Sequence, residues 1–272
     1  MKVTIITVCR NSARTIADAL QSVRDQELPE TVELEHIVVD GLSRKDNTVE
    51  IVKSFEAAAR PRFTYRWVSE KDSGLYDAMN KGIRMASGEI IGILNSDDMM
   101  NSRDVVARIA KAAEDGTEVL YADVRFVGAD TAYAELSSAP SRRYVWPRLW
   151  RPWMLSWGWT PPHPGLYIRK SAYEKHGDYL TGYAISSDDE IIVRLVRKCG
   201  ASCKYVPLCS VAMRPGGLST QPKNLVRQNR EYVEMNRKNG YFCILPMMLP
   251  KLGIKALEII VPKINHLFGG GL

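Results

Sequence analysis

EKDSGLYDAMNKGIRMASGEIIGILNSDDM, Glu70–Met99, ends an apolar strand, Ile90–Leu94, on the cluster Asn95, Ser96, Asp97 and Asp98. Carboxylates crowded at the carboxyl end of a buried strand suit a divalent cation holding a phosphate, because such an ion needs hard oxygen ligands and open positions. Asn, Ser and Asp also form ordinary turns, so the cluster alone carries a second reading, a capping loop before the next helix. The context sharpens it. Glu70, Asp72 and Gly74 precede a predicted helix bearing Tyr76, Asp77, Asn80, Lys81 and Gly82, and Gly88 closes that helix.

Working outward, apolar strands alternate with helical patterns. Lys2–Val8 reads as a buried strand, followed by Ala13, Ile16, Ala17, Leu20 and Val23 at helical spacing after an Asn11 cap. Leu34–Val39, Thr64–Val68, Ile90–Leu94 and Glu118–Ala122 are further strands; Thr48–Phe55, Leu75–Ala86 and Arg103–Asp115 are the intervening helices. This alternation predicts a mostly parallel, Rossmann-like α/β sheet covered on both faces, with its site at the strand carboxyl ends. Val8, Asp40, Asp72 and Asp97 each end or follow a predicted strand, which puts them on one rim. After about Asp123 the pattern becomes irregular. Gly165–Arg169, Ser202–Val206 and Cys209–Arg214 read as strands, and Asp188–Cys199 and Pro222–Asn239 as helices.

The chain of 272 residues carries a net charge of +6, which favours an anionic partner: a phosphorylated substrate or a membrane surface. Nucleic acid is disfavoured, since no basic helix or aromatic RNA-binding motif is present and the acidic loop would repel a backbone. The five cysteines, Cys9, Cys199, Cys203, Cys209 and Cys243, suggest reduced thiols rather than a disulfide framework. Lys2–Val8 reads as a strand from the start, so no signal peptide is expected, and no uncharged apolar run reaches the ~18 residues of a spanning helix. A dinucleotide-binding dehydrogenase would place glycines in the first turn, whereas Cys9-Arg10-Asn11-Ser12 has none.

The run Glu70–Met99 as a whole resembles the family-2 nucleotide-sugar glycosyltransferases of GT-A fold, with Asn95-Ser96-Asp97-Asp98 in the place of their Asp-x-Asp motif. The resemblance covers about Lys2–Asn239. It implies a GT-A-like α/β domain and an inverting transfer of sugar from a nucleotide-diphosphate donor, most simply a UDP-sugar. It places Val8, Arg10 and Asp40 around the nucleobase and Asp72 beside the nucleotide. Asn95 and Ser96 face the ribose, and Asp97 and Asp98 hold Mg2+ or Mn2+. Arg10 stands where the family usually has an aromatic; its planar guanidinium can stack in that role. Asp40 also fits a turn before Gly41.

Ser187-Asp188-Asp189-Glu190 opens a helix, where acids complement the helix dipole. Its spacing, Asp188-x-Glu190-x3-Arg194-Leu195, also resembles the segment bearing the family's catalytic base, which makes Asp188 the candidate to take the acceptor hydroxyl's proton. His163 matches a recurrent family position and equally fits a structural histidine. Arg214-Pro215-Gly216-Gly217-Leu218-Ser219 resembles a loop that closes near the diphosphate, or is a surface turn. Trp146, Trp150, Trp153 and Trp157 follow the spacing of one helical face, which Pro152 interrupts; they form a buried stripe or the rim of an acceptor site.

Beyond residue 240 the composition changes. Lys251, Lys255, Glu258 and Asn265 form a polar helical stripe, Leu252, Ile254, Leu257, Ile260, Val261, Ile264, Leu267 and Phe268 cover the other faces, and Pro262 predicts a kink. This is either an interfacial amphipathic helix, aided by Lys251, Lys255 and Lys263, or one packed on the domain or a dimer partner. The expected organisation is therefore a catalytic domain, 1–240, and a C-terminal amphipathic extension, 241–272. The expected setting is cytoplasmic, peripheral on an anionic inner membrane face. The acceptor expected is a saccharide or lipid-linked saccharide in surface polysaccharide or glycolipid assembly. A sugar-nucleotide pyrophosphorylase would need a Gly-rich, Arg-containing N-terminal signature that is missing. A non-catalytic carbohydrate- or nucleotide-sugar-binding protein of the same fold is the other alternative, against which Asp97 and Asp188 argue.

Overall fold

The computed structural model describes residues 1–58, 60–217 and 224–240. Strands β1 (Lys2–Cys9), β2 (Glu33–Asp40), β3 (Phe63–Ser69) and β4 (Ile90–Asn95) lie in the spatial order β3-β2-β1-β4 and run parallel. They are joined by helices α1 (Ile16–Arg24), α2 (Thr48–Ser54) and α3 (Leu75–Met85). Alternate residues of a strand point to opposite faces. In β1, Val3 and Ile5 accordingly enter the core with Ala19 and Val23, whereas Ile6 and Val8 pack with Met79 and Ile83 of α3. Both Ile5 and Ile6 are fully buried, and each such side chain contributes about 1.5–3 kcal/mol. The continuous apolar run that identified the strand follows from this two-sided burial. Gly82 lets α3 lie directly on β1, because a Cβ there would overlap Ile6.

The second half of the sheet is mixed. Next to β4 lies β8 (Leu166–Arg169), antiparallel to it and to β6 (Val119–Phe126). Strand β9 (Cys203–Met213) runs parallel to β6, and β5 (Met99–Met100) closes the edge antiparallel to β9. Strand β7 (Arg143–Val145) pairs antiparallel with β6. The two strands expected at Ser202–Val206 and Cys209–Arg214 are one strand, whose register against β6 shifts around Ala122 and Asp123. Pro207 lies at that irregularity, where a residue without an N–H is tolerated.

Helix α4 (Val105–Ala112) and a following 3-10 turn, Ala113–Asp115, divide the helix expected at Arg103–Asp115. Helix α5 (Lys170–His176) was not anticipated. Helix α6 (Ser187–Ile192) continues into a π-helical turn, Val193–Lys198, and α7 (Leu225–Lys238) follows β9. Asn11 does not cap α1. It adopts a left-handed backbone, φ 52°, and its side-chain oxygen accepts the backbone N–H groups of Arg44 and Lys45 at 3.2 and 3.1 Å.

The tryptophans do not share a helical face. Pro147 and Pro152 each open a separate 3-10 turn, Pro147–Leu149 and Pro152–Trp157, so the spacing never becomes a continuous helix. Trp150 is buried edge-on to Tyr121 and its indole N–H donates to the Trp159 carbonyl at 2.8 Å, while Trp153 is 50% exposed. Among the described residues, Cys9, Cys199, Cys203 and Cys209 are free thiols, and no helix is long and apolar enough to cross a membrane. The amphipathic segment expected at 251–268, and Leu218 and Ser219, lie outside the described residues.

Candidate active site

A cavity of about 400 Å³ opens at the carboxyl ends of β1 and β4. Val8, Arg10, Asp72, Asn95, Ser96, Asp97, Asp98 and Asp188 all line it. Parallel pairing explains the first group: Val8 sits opposite Asn95 across β1 and β4, so the turn after each strand opens on the same rim. Ser96 donates from its hydroxyl to that of Ser12 at 2.9 Å, tying the two turns together.

Asp40 is placed differently from the expectation. It is fully buried, and its carboxylate accepts the Ser43 N–H at 2.9 Å, the Ser43 hydroxyl, and the Ser69 hydroxyl at 2.6 Å. In this arrangement it braces the turn carrying Gly41 rather than facing the cavity. Contact with a nucleobase requires Ser43 or Ser69 to rotate away. Gly41 itself has a steric role, since a Cβ there would overlap the Asp72 carboxylate and approach the Arg10 side chain to 3.3 Å. Asp72 accepts the Gly74 N–H at 3.1 Å, and Gly74, at φ 139°, starts α3.

The acidic turn is built around two unequal carboxylates. Asp98 is only 2% exposed and accepts the Asn95 side-chain amide at 3.1 Å; Asp97 is half-buried on the cavity wall. Burial raises both carboxyls above the ordinary range, and the neighbouring Asp97 charge raises Asp98 further. Asp97 and Asp98 are the hard-oxygen donors that fit a divalent cation, which would relieve the burial of two adjacent acids. Among the described residues no group of three or more His, Cys, Asp or Glu side chains is assembled, so a cation here needs oxygen ligands from substrate or water as well.

Arg214 partly balances this charge from behind. Its guanidinium donates to the Asp97 carbonyl at 3.1 Å, the Thr131 carbonyl at 2.6 Å and the Asp18 carboxylate at 2.5 Å. It is 5% exposed and these bonds occupy its guanidinium, yet Arg214 itself lines the cavity. Gly217, from the same loop, lines the cavity too.

On the opposite wall, the three acids of α6 have separate environments. Asp188 lines the cavity and accepts the Tyr76 hydroxyl at 3.1 Å. Asp189 accepts the Thr160 hydroxyl at 2.5 Å. Glu190 is buried in a bidentate pair with Arg194, whose guanidinium also reaches the carbonyls of His176, Gly177 and Asp178. The structure therefore brings Asp188 alone of the three to the cavity. Burial, then the nearby Asp188 charge, raises the Tyr76 phenol, which keeps it a proton donor in the hydrogen bond to Asp188.

Sequence reasoning named Tyr76 without a role. Its signal was its place in Gly74-Leu75-Tyr76-Asp77, at the start of the helix facing the cavity. His163 also lines the cavity, with Nε2 2.8 Å from the Tyr179 hydroxyl. Burial pushes its imidazole down to about 4, so it is neutral at physiological pH.

The chain is similar to known proteins over most of its length. An uncharacterized glycosyltransferase of Mycobacterium tuberculosis is 28% identical over 240 residues, covering 87% of this chain and 84% of its own length. The PGL/p-HBAD biosynthesis glycosyltransferase of Mycobacterium bovis is 24% identical over 218 residues, 79% of this chain and 78% of that protein. Among solved structures, S. aureus TarS 1–349 in complex with UDP-GlcNAc superposes with a TM-score of 0.64 at 17% identity, over 86% of this chain. This chain spans only 66% of the length of that one. The mannosyltransferase PcManGT of Pyrobaculum calidifontis, in complex with GDP-Man and Mn2+, has a TM-score of 0.62 at 19% identity, over 99% of this chain and 76% of its own. These likenesses establish the GT-A-like fold. The family model described as glycosyl transferase family 2 matches residues 4–179, and this chain belongs to that family.

Proposed function

We propose that this glycosyltransferase moves a sugar from a UDP-sugar to an acceptor hydroxyl with inversion, assisted by Mg2+ or Mn2+. The observation that carries the reading is the convergence of Asp97, Asp98 and Asp188 on one cavity. Arg10 and Val8 offer the base a planar cation and an apolar wall, with Asn95 and Ser96 toward the ribose. The acceptor oxygen forms the new bond to the anomeric carbon as its proton passes to Asp188. The bond from that carbon to the diphosphate breaks, and its electron pair leaves with the nucleoside diphosphate. Asp97 and Asp98 would hold the divalent ion, which when bound neutralises charge on the departing diphosphate. Tyr76 holds Asp188 in place from the rear by its 3.1 Å hydrogen bond.

A thermal-shift series of UDP- and GDP-sugars with and without manganese tests the donor. UDP-sugars with metal should raise the melting temperature, since a ligand at a hundred times its Kd stabilises by about 2.7 kcal/mol. UDP release from the same donors tests the chemistry. A response to GDP-sugars alone overturns the UDP assignment; stabilisation without turnover or transfer favours a non-catalytic binder.

We assign the acceptor to surface polysaccharide or glycolipid assembly, at a cytoplasmic membrane face. The support is chemical. Between Glu135 and Glu174 the chain has no acidic residue, and Arg142, Arg148 and Arg151 are exposed beside Leu149 (63% exposed) and Trp153 (50% exposed). The 251–268 sequence adds Lys251, Lys255 and Lys263 among many apolar residues. A biosynthetic role also accords with the name of the Mycobacterium bovis relative, PGL/p-HBAD biosynthesis glycosyltransferase. Full-length protein should float with anionic vesicles, less so as salt screens its charges, and truncation after Gly240 should weaken flotation while preserving UDP binding. Equally poor flotation of both forms makes the C-terminal segment a packing or dimerisation element.

A further inference from the structure

We infer that Glu231, on α7, is a positioning residue that fixes the loop carrying the candidate base. Its carboxylate accepts three consecutive backbone N–H groups, those of Ala184, Ile185 and Ser186, at 3.1, 2.9 and 3.1 Å. Those residues lead directly into α6, and Ala184 and Ile185 line the cavity together with Asp188. The Ile185 backbone is held on both sides. Its N–H points to Glu231, and its carbonyl accepts the Tyr76 hydroxyl at 2.5 Å, the same hydroxyl that bonds Asp188. Glu231 and Tyr76 thus clamp the backbone of one residue, Ile185, between α7 and α3 and set where Asp188 stands.

The clamp rests on a fixed support. Tyr232 and Met235 of α7 are buried in the main core, and the Tyr232 hydroxyl donates to the Leu155 carbonyl at 2.8 Å. Glu231 is 8% exposed and paired with Arg227 at 2.9 Å. Burial alone would raise its carboxyl, yet the backbone N–H groups and Arg227 hold it below the ordinary range. A charged acceptor is what three converging donors require, whereas a glutamine offers a single acceptor oxygen and turns its own N–H groups toward the loop. Glu231 and Asp188 both lie beyond residues 4–179, the span that matches the family model.

This inference rests on the reading of Asp188 as base, and the experiment separates the two. Hydrolysis of UDP-N-acetylglucosamine and UDP-glucose is followed in wild type, Glu231→Gln, Glu231→Asp and Asp188→Asn, with UDP affinity measured by calorimetry in the presence of manganese. Glu231→Gln should lower kcat about 10- to 100-fold, the cost of a base displaced by roughly an ångström, with donor KM and UDP affinity within about twofold of wild type. Glu231→Asp, which keeps the charge on a shorter arm, should recover part of that loss, and it carries the test if the Gln variant does not fold. Glu234→Gln, which removes an ion pair with Lys238 elsewhere on the same helix, should leave all three quantities unchanged. Wild-type kcat in Glu231→Gln, alongside an inactive Asp188→Asn, overturns the positioning role and leaves the base in place. Parallel losses of kcat and UDP affinity overturn it too, by making Glu231 a general structural residue. Normal turnover in Asp188→Asn removes the base and this inference with it.

Discussion

Asp188→Asn should reduce kcat for sugar transfer by about a hundredfold or more while leaving UDP affinity intact. The amide preserves shape, and its oxygen can still accept the Tyr76 hydroxyl, so the 3.1 Å hydrogen bond and the start of α6 persist. What is lost is the capacity to take a proton from the attacking hydroxyl. The neighbouring acids do not readily substitute: Asp189 is bonded to Thr160 and Glu190 is buried against Arg194. Steady-state transfer combined with calorimetric titration of UDP separates the outcomes. Near-normal turnover assigns the proton transfer elsewhere, first to Asp189 after a change of its Thr160 contact. A matched loss of UDP affinity makes Asp188 a binding residue.

The sequence is most informative where the physics is local. Strands β1, β2 and β4 are buried on both faces and therefore read as unbroken apolar runs, while the turns after them must open on one rim because the strands are parallel. The acidic turn was legible for that reason, whereas Asp188, at the start of a helix, was named from the resemblance of its segment. Asp40 carried two readings: the Ser43 hydroxyl on its carboxylate, three residues on, accords with the local turn, whereas the Ser69 hydroxyl at the end of the adjacent strand β3 is a pairing that no local spacing reveals. Arg214 does line the cavity, but its partners Asp18, Asp97 and Thr131 lie far away along the chain and could not be read from it. The tryptophan stripe satisfied a helical period, but prolines at 147 and 152 imposed separate turns whose geometry overrode it. Strands β5 and β7, two and three residues long, are too short to show a period at all. Glu231 sits on a polar helix where a glutamate is unremarkable by composition. Its significance lies in three amides some 45 residues earlier, visible only once the helix has docked.

Asp97→Ala should abolish the manganese dependence of UDP binding while leaving the metal-free fold at least as stable as wild type at neutral pH. The two effects have one cause. Asp97 and Asp98 are adjacent acids whose carboxyls burial holds above the ordinary range, the Asp97 charge adding to the shift at Asp98. A carboxyl raised on folding leaves the folded state at full advantage below its unfolded value, near 3.9; that advantage is lost as pH rises toward the folded value. At neutral pH the metal-free pair therefore opposes folding, and removing Asp97 relieves part of that opposition. Without metal, any excess in melting temperature of Asp97→Ala over wild type should shrink as pH falls toward 4. With manganese and UDP, wild type alone should gain stability, and its metal affinity should weaken in acid as protons compete for the same oxygens. Losing a residue that merely orients a metal ligand costs 10- to 100-fold in affinity, so loss of a direct ligand should cost about a hundredfold or more. Unchanged manganese dependence in this variant removes Asp97 from the metal site and turns attention to Asp98. Asp98, which also lines the cavity but is 2% exposed and bonded to Asn95, would then be the remaining carboxylate of the turn for the ion.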